Sequence, residues 1–129
     1  MTEEQLKRLN NIFGKYPDLK LVYLFGSQAS EKVGPLSDYD FAFYIKEDRK
    51  KAYYTSFKIE GEISRVLSTD KIDMVIINHT DSPELKYSII KNGKILYEVE
   101  PYRLLIEPKI LNEYFDFRYL LRKYQLTGT

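Results

Sequence analysis

Three aspartates have the types and spacing that suggest chemistry: Asp38 and Asp40, separated by Tyr39, and Asp73 within the apolar stretch Ile72-Asp73-Met74-Val75-Ile76. Residues i and i+2 of a strand share a face. The carboxylates of Asp38 and Asp40 therefore project together from backbone positions roughly 6 to 7 Å apart, with Tyr39 turned away. Two such groups can share a hard divalent cation, and magnesium in particular takes a few carboxylates and fills its shell with substrate phosphates and water. Asp73 reads either as a charge at a strand end or as part of the same site, because a carboxylate among apolar neighbours is costly unless it faces a cation. A third carboxylate completes a two-metal arrangement, in which one ion activates an incoming hydroxyl and the other holds a leaving pyrophosphate. Asp73 is then also the candidate general base.

Opposite these carboxylates the sequence offers a seat for phosphate. Leu21-Val22-Tyr23-Leu24-Phe25 is a short apolar run closed by Gly26-Ser27. Gly26 lets the backbone approach a phosphate with no side chain in the way, and Ser27 adds a hydroxyl and an amide at a helix N-terminus, where the dipole favours an anion. Taken singly, a Gly-Ser pair is an ordinary turn and Ser-Asp-x-Asp a solvated one. The three features together are what point to a metal-bound nucleoside triphosphate.

The elements that must position these residues follow from periodicity. Thr2 and Gln5 have the form of a capping box, and Leu6, Leu9, Ile12 and Phe13 recur at helical spacing up to about Gly14. Leu21 to Phe25 predicts a central strand buried on both faces. Asp38 to Ile45 predicts a second, with Tyr39, Phe41, Phe43 and Ile45 on one face and Asp38, Asp40 and Ala42 on the other. Arg49 to Leu67 predicts a long helix burying Ala52, Ser56, Ile59, Ile63 and Val66; Gly61 in its middle suggests close packing or a bend. Ile72 to Ile77 predicts a third strand. Ser82 and Pro83 read as an N-cap and first-turn proline of a helix that Gly93 ends, and Lys94 to Glu98 as an edge-like fourth strand. Beyond Pro101 and Pro108, Ile110, Leu111, Tyr114, Phe115, Phe117, Leu120, Leu121 and Tyr124 predict a helix with aromatics on more than one face, more apolar surface than a terminal helix needs without a partner.

Composition bounds the class. The 129 residues, 43% hydrophobic and 15% aromatic with 12 Tyr and 7 Phe, can bury one core and suit one domain over 1–129, with 101–129 as a C-terminal helical extension. Twenty Lys and Arg against 19 Asp and Glu leave a net charge of +1, a poor signature for gripping long nucleic acid, so no direct nucleic-acid binding is expected. Without cysteine there are no disulfides, thiolate nucleophiles or thiolate zinc sites, and the single His79 excludes a histidine metal cluster. The N-terminus lacks signal-peptide character and no apolar run nears the ~20 residues of a membrane span, so a cytoplasmic location off the membrane is expected.

Gly26-Ser27, ten intervening residues, Asp38-Tyr39-Asp40 and then an apolar strand bearing Asp73 closely resemble the GS-x10-DxD signature of the polymerase-beta-like nucleotidyltransferase superfamily. The short length and the segment Leu85 to Glu98, ending Asn92-Gly93-Lys94-Ile95-Leu96-Tyr97-Glu98, resemble the minimal nucleotidyltransferase (MNT) antitoxins that pair with HEPN toxins; the likeness covers about residues 3 to 98. The resemblance implies a small α/β fold with a mixed sheet of about four strands flanked by helices, ATP as substrate, two Mg2+ ions, and transfer of AMP with release of pyrophosphate. The implied acceptor is a tyrosine of a HEPN ribonuclease toxin, held in a hetero-oligomer with the antitoxin. By position, Gly26 and Ser27 would bind the nucleotide phosphates, Asp38 and Asp40 metal, and Asp73 both metal and the acceptor's proton. Two other readings stand beside it: nucleotidyl transfer to a small hydroxylated molecule such as an aminoglycoside, and a non-catalytic antitoxin that neutralises by binding. The first is disfavoured by the lack of room for an acceptor domain, and the second by the intact carboxylate triad.

Other polar residues read as surface. His79 follows the third strand as a polar loop residue. Arg49-Lys50-Lys51 reads as the solvated start of a helix behind Glu47 and Asp48. Gln28 and Ser37 flank the motif within reach of a nucleotide. The aromatics of the C-terminal helix are assigned to packing rather than to stacking on a base.

Overall fold

The computed structural model describes residues 1–26 and 39–124. Ser27, Gln28, Ser37 and Asp38 lie outside the described residues. The element order is α1 (Glu3–Phe13), β1 (Leu19–Phe25), β2 (Tyr39–Ile45), α2 (Arg49–Leu67), β3 (Ile72–Ile76), α3 (Pro83–Asn92), β4 (Lys94–Glu98) and α4 (Tyr102–Lys123), with a short 3-10 turn, Ile77–His79, after β3. The strands form one mixed sheet in the order β3-β2-β1-β4. β1 is antiparallel to both its neighbours, whereas β2 and β3 are parallel, joined by α2 as the crossover. This is the α/β architecture expected from the sequence, with β1 central and β4 at an edge.

Helix boundaries follow the local chemistry. Thr2 and Gln5 close the capping box on α1, the Asp48 side chain accepts from Lys51 N at the start of α2, and the Ser82 side chain accepts from Leu85 N with Pro83 in the first turn of α3. α2 buries the face read from its spacing, Ala52, Ser56, Ile59, Ile63 and Val66, and leaves Arg49, Lys50 and Lys51 exposed. Of the two readings of Gly61, close packing is not found. A Cβ there would meet no atom within 4 Å, so no close packing requires the glycine.

Two apolar layers cover the sheet. On one face Phe41, Phe43, Ile72 and Ile76 meet Leu9 and Phe13 of α1 and Ile59 and Ile63 of α2; on the other, Leu21, Tyr23 and Ala42 meet Ile89 of α3 and Ile110 of α4. The alternation read along β2 and β3 is therefore the one that sorts their side chains between layers.

α4 begins earlier than the sequence suggested. It starts at Tyr102 and carries Pro108 inside it rather than starting beyond that proline. Proline cannot bond the carbonyl four residues back. Here that carbonyl belongs to Leu104, 78% exposed, where water can satisfy it. Tyr102, Ile106 and Ile110 pack on the sheet side of the same helix, and this burial holds the first turns despite the missing bond. Among the described residues, no helix is long and apolar enough to cross a membrane.

Candidate nucleotide and metal site

β1 delivers Gly26 at its carboxyl end with φ +74°, the left-handed region that favours glycine. Its neighbour Phe25 pairs with Asp40 on β2. A Cβ on Gly26 would lie inside the van der Waals shell of Asp40 Oδ2 and 3.1 Å from Asp40 Cγ. Glycine is favoured here by its dihedral, and a side chain would also force the Asp40 carboxylate to turn aside. The sequence had assigned Gly26 to close approach by a phosphate; the structure adds an approach by the aspartate itself.

The parallel pairing of β2 and β3 places Asp40 directly opposite Asp73. Residues in register on neighbouring strands stand about 4.8 Å apart and share a face, so the two carboxylates project together. Their face is the one on which Ala42 and Val75, two residues further along each strand, pack toward α3 and α4. Asp38 precedes Asp40 by two positions but lies outside the described residues, as does Ser27. Among the described residues no group of three or more His, Asp or Glu side chains surrounds a common point.

One premise is corrected. Asp73 was expected to be a charge buried among apolar residues, but it is exposed. Ile72 and Ile76 turn to the opposite face, and β3 is an edge strand, so water reaches the carboxylate. What associates Asp73 with a site is its register with Asp40, not its burial.

The donor set suits a hard cation. Asp40 and Asp73 offer carboxylate oxygens on one face, at a strand end kept free of a Cβ by Gly26, and hard divalent ions select carboxylate oxygens. Gly93 fixes the nearby layer: a Cβ there would lie 3.2 Å from the Leu24 carbonyl and press into that of Ile89. Its φ of −78° is not left-handed. The glycine that ends α3 is thus present for close packing against β1, one residue before Phe25, a role that reading it only as a helix stop missed. His79 lies outside this region, half-buried, its Nε2 2.8 Å from the Glu47 carbonyl. Beside it Asn78 donates to the Ile45 carbonyl at 2.7 Å and accepts from Ile45 N at 3.2 Å, extending the β2 ladder where β3 ends.

Comparison with known proteins shows what the chain is similar to. Residues 7–102 match the family described as polymerase beta, nucleotidyltransferase. The chain is 33% identical over 105 residues to the protein adenylyltransferase MntA of Aphanizomenon flos-aquae (strain 2012/KM1/D3), an alignment covering 75% of this chain and 69% of that protein. Among solved structures, a toxin-antitoxin complex with AMP-PNP contains a chain of similar fold, with TM-score 0.70 and 21% identity over 98% of this chain and 94% of that one. A complex of tri-AMPylated Shewanella oneidensis HEPN toxin with MNT antitoxin contains another, with TM-score 0.69 and 19% identity over 98% and 94%.

Proposed function

This chain belongs to the polymerase beta nucleotidyltransferase family, and from that premise we propose that it moves AMP from ATP onto a tyrosine of a HEPN-domain toxin, and so acts as an antitoxin. It is a nucleotidyltransferase; the acceptor, the metal and the residue roles are our reading. The observation that carries this reading is the register of Asp40 with Asp73 on one face, beside the glycine that ends β1.

In this reading Asp38, Asp40 and Asp73 would hold two magnesium ions, which would supply positive charge to neutralise the phosphates. Gly26 and Ser27 hold the triphosphate. Asp73, exposed at the sheet edge, is reachable by an acceptor hydroxyl and takes its proton as the tyrosine oxygen bonds to the α-phosphorus of ATP. The bond from that phosphorus to the bridging oxygen breaks, and pyrophosphate leaves. The whole of 1–129 acts as one domain, with α4 as its helical extension, in a cytoplasmic hetero-oligomer with the toxin. The relative named an adenylyltransferase and the fold shared with chains of toxin-antitoxin complexes support this choice of acceptor.

The test is incubation of the chain with labelled ATP, magnesium and a purified HEPN-domain toxin. Wild type labels that protein. Asp40→Asn, which keeps the side-chain size and removes the charge, lowers labelling by about a hundredfold or more at unchanged melting temperature. No labelling by the folded wild type would overturn the proposal.

A further inference from the structure

Along the outer side of α4, Leu104, Pro108, Leu111, Phe115 and Tyr119 follow one another at steps of three and four residues. Such steps align side chains in one stripe, here about 22 Å long at 1.5 Å per residue. It lies opposite the side of α4 that packs on the sheet through Ile106 and Ile110. Its members are open to solvent, with Leu104 at 78%, Phe115 at 58% and Tyr119 at 62% exposure.

The stripe has a polarity. At its head, a groove of about 440 Å³ is walled by Glu98, Glu100, Glu107 and Arg103, with Leu104 and Leu111 beside them. Glu107 is committed to Arg103 at 3.0 Å and to the Tyr23 hydroxyl at 2.7 Å. Glu98 and Glu100 form no ion pair within the described residues, so the head is negative. At the other end Arg118, Arg122 and Lys123 are exposed, and the tail is positive.

We infer that this stripe is where the acceptor protein docks, through an amphipathic helix whose cationic end enters the groove and whose anionic end meets the tail of α4. The inference rests on the proposed function for the identity of that protein. Complementary charge at both ends sets the direction of the incoming helix, and the apolar centre supplies the buried anchors. The side of the sheet matters as well. α4 covers the same face that carries Asp40 and Asp73, since Ala42, two residues beyond Asp40, packs in one layer with Ile110. A protein held along α4 is therefore held on the carboxylate side.

Leu111→Asp and Phe115→Asp in the full chain, assayed against the HEPN-domain toxin that the wild type labels or binds, test this directly. Leu111 is 36% and Phe115 58% exposed; Phe115 also meets the rings of Tyr87 on α3 and Tyr114, so both variants are first checked for a wild-type melting temperature, and Glu100→Lys provides a variant that alters charge alone. Expected are at least a tenfold loss of affinity by calorimetry for the two aspartate variants, with AMP transfer at limiting acceptor falling in parallel. ATP binding in magnesium stays within twofold of wild type. Glu100→Lys slows association and flattens its salt dependence. Unchanged acceptor affinity in both aspartate variants would overturn the inference. So would a wild-type homodimer that Leu111→Asp dissociates while acceptor binding persists. A wild type that binds the HEPN protein but transfers nothing to it sinks the catalytic reading, and the docking surface stands or falls on the variants' affinities.

Discussion

A glycine and an aspartate in van der Waals competition define the smallest unit of the site. Gly26→Ala would place a methyl group against Asp40 Oδ2, which must turn aside, on a residue already at φ +74°. The left-handed conformation costs alanine about 1 to 2 kcal/mol. The displaced carboxylate costs more in rate than in stability, because an error near 1 Å in a reacting constellation can lower turnover about a hundredfold. We expect Gly26→Ala to lower the unfolding free energy by that small amount and AMP transfer by about two orders of magnitude. Denaturant titration and the labelling assay measure the two losses, and a variant with wild-type transfer would show that Asp40 need not lie against Gly26. The residue types of this site, and the grouping of Asp73 with the other two carboxylates, were legible in the sequence; the pairing that sets Asp73 opposite Asp40 was not. Alternation put Asp40 and Asp73 on definite faces of their strands, but only the parallel register of β2 with β3 sets one opposite the other, and no local pattern encodes register between strands separated by a long helix.

Elements were legible wherever a cap and a period agreed. α1, α2 and α3 begin at the side chains that cap them, and β2 alternates as its composition suggested. The start of α4 was not, because a proline argues locally against a helix and only tertiary burial of Tyr102 and Ile106 outweighs it. Between elements, one polar clasp fixes the turn after α1 to α2: Lys15 Nζ lies 2.7 Å from Glu62 Oε1, and the Tyr16 hydroxyl donates to Glu62 Oε2. The bonds from Lys15 and then from Tyr16 hold the Glu62 carboxyl below its usual value of 4.5. Burial, reinforced by the Glu62 carboxylate, pushes Tyr16 up to about 12. A lowered carboxyl contributes stability that is complete above its unfolded value and lost as pH falls through the folded one. A raised phenol contributes stability present below its unfolded value of 10.0 and lost as pH climbs toward about 12. Urea unfolding at about pH 7 and about pH 3 should therefore show a smaller acid-induced loss for Glu62→Gln than for wild type. Equal losses would show that the clasp does not couple to folding.

At the scale of the whole molecule, α4 is joined to the central strand by a partly buried contact 84 positions apart in sequence, Tyr23 with Glu107, which no local reading could supply. Tyr23 is 2% exposed, and burial followed by its bond to Glu107 raises its hydroxyl far above the usual tyrosine value. Tyr23→Phe removes a hydrogen bond to a carboxylate that Arg103 still neutralises, so we expect a loss of about 2 kcal/mol in unfolding free energy. A loss below about 0.5 kcal/mol would mean that this bond does not anchor the helix. The two layers of the sheet are unequal. α1 and α2 enclose the larger core, while the layer under α3 and α4 is thinner and adjoins the carboxylates. Most of the burial that makes the chain fold therefore lies on the side away from the chemistry. Substitutions can accumulate along the outside of α4 without loosening the sheet, so with the acceptor docked there, as we infer, a lineage could follow a changing acceptor at that surface while the aspartates and their glycine stay as they are.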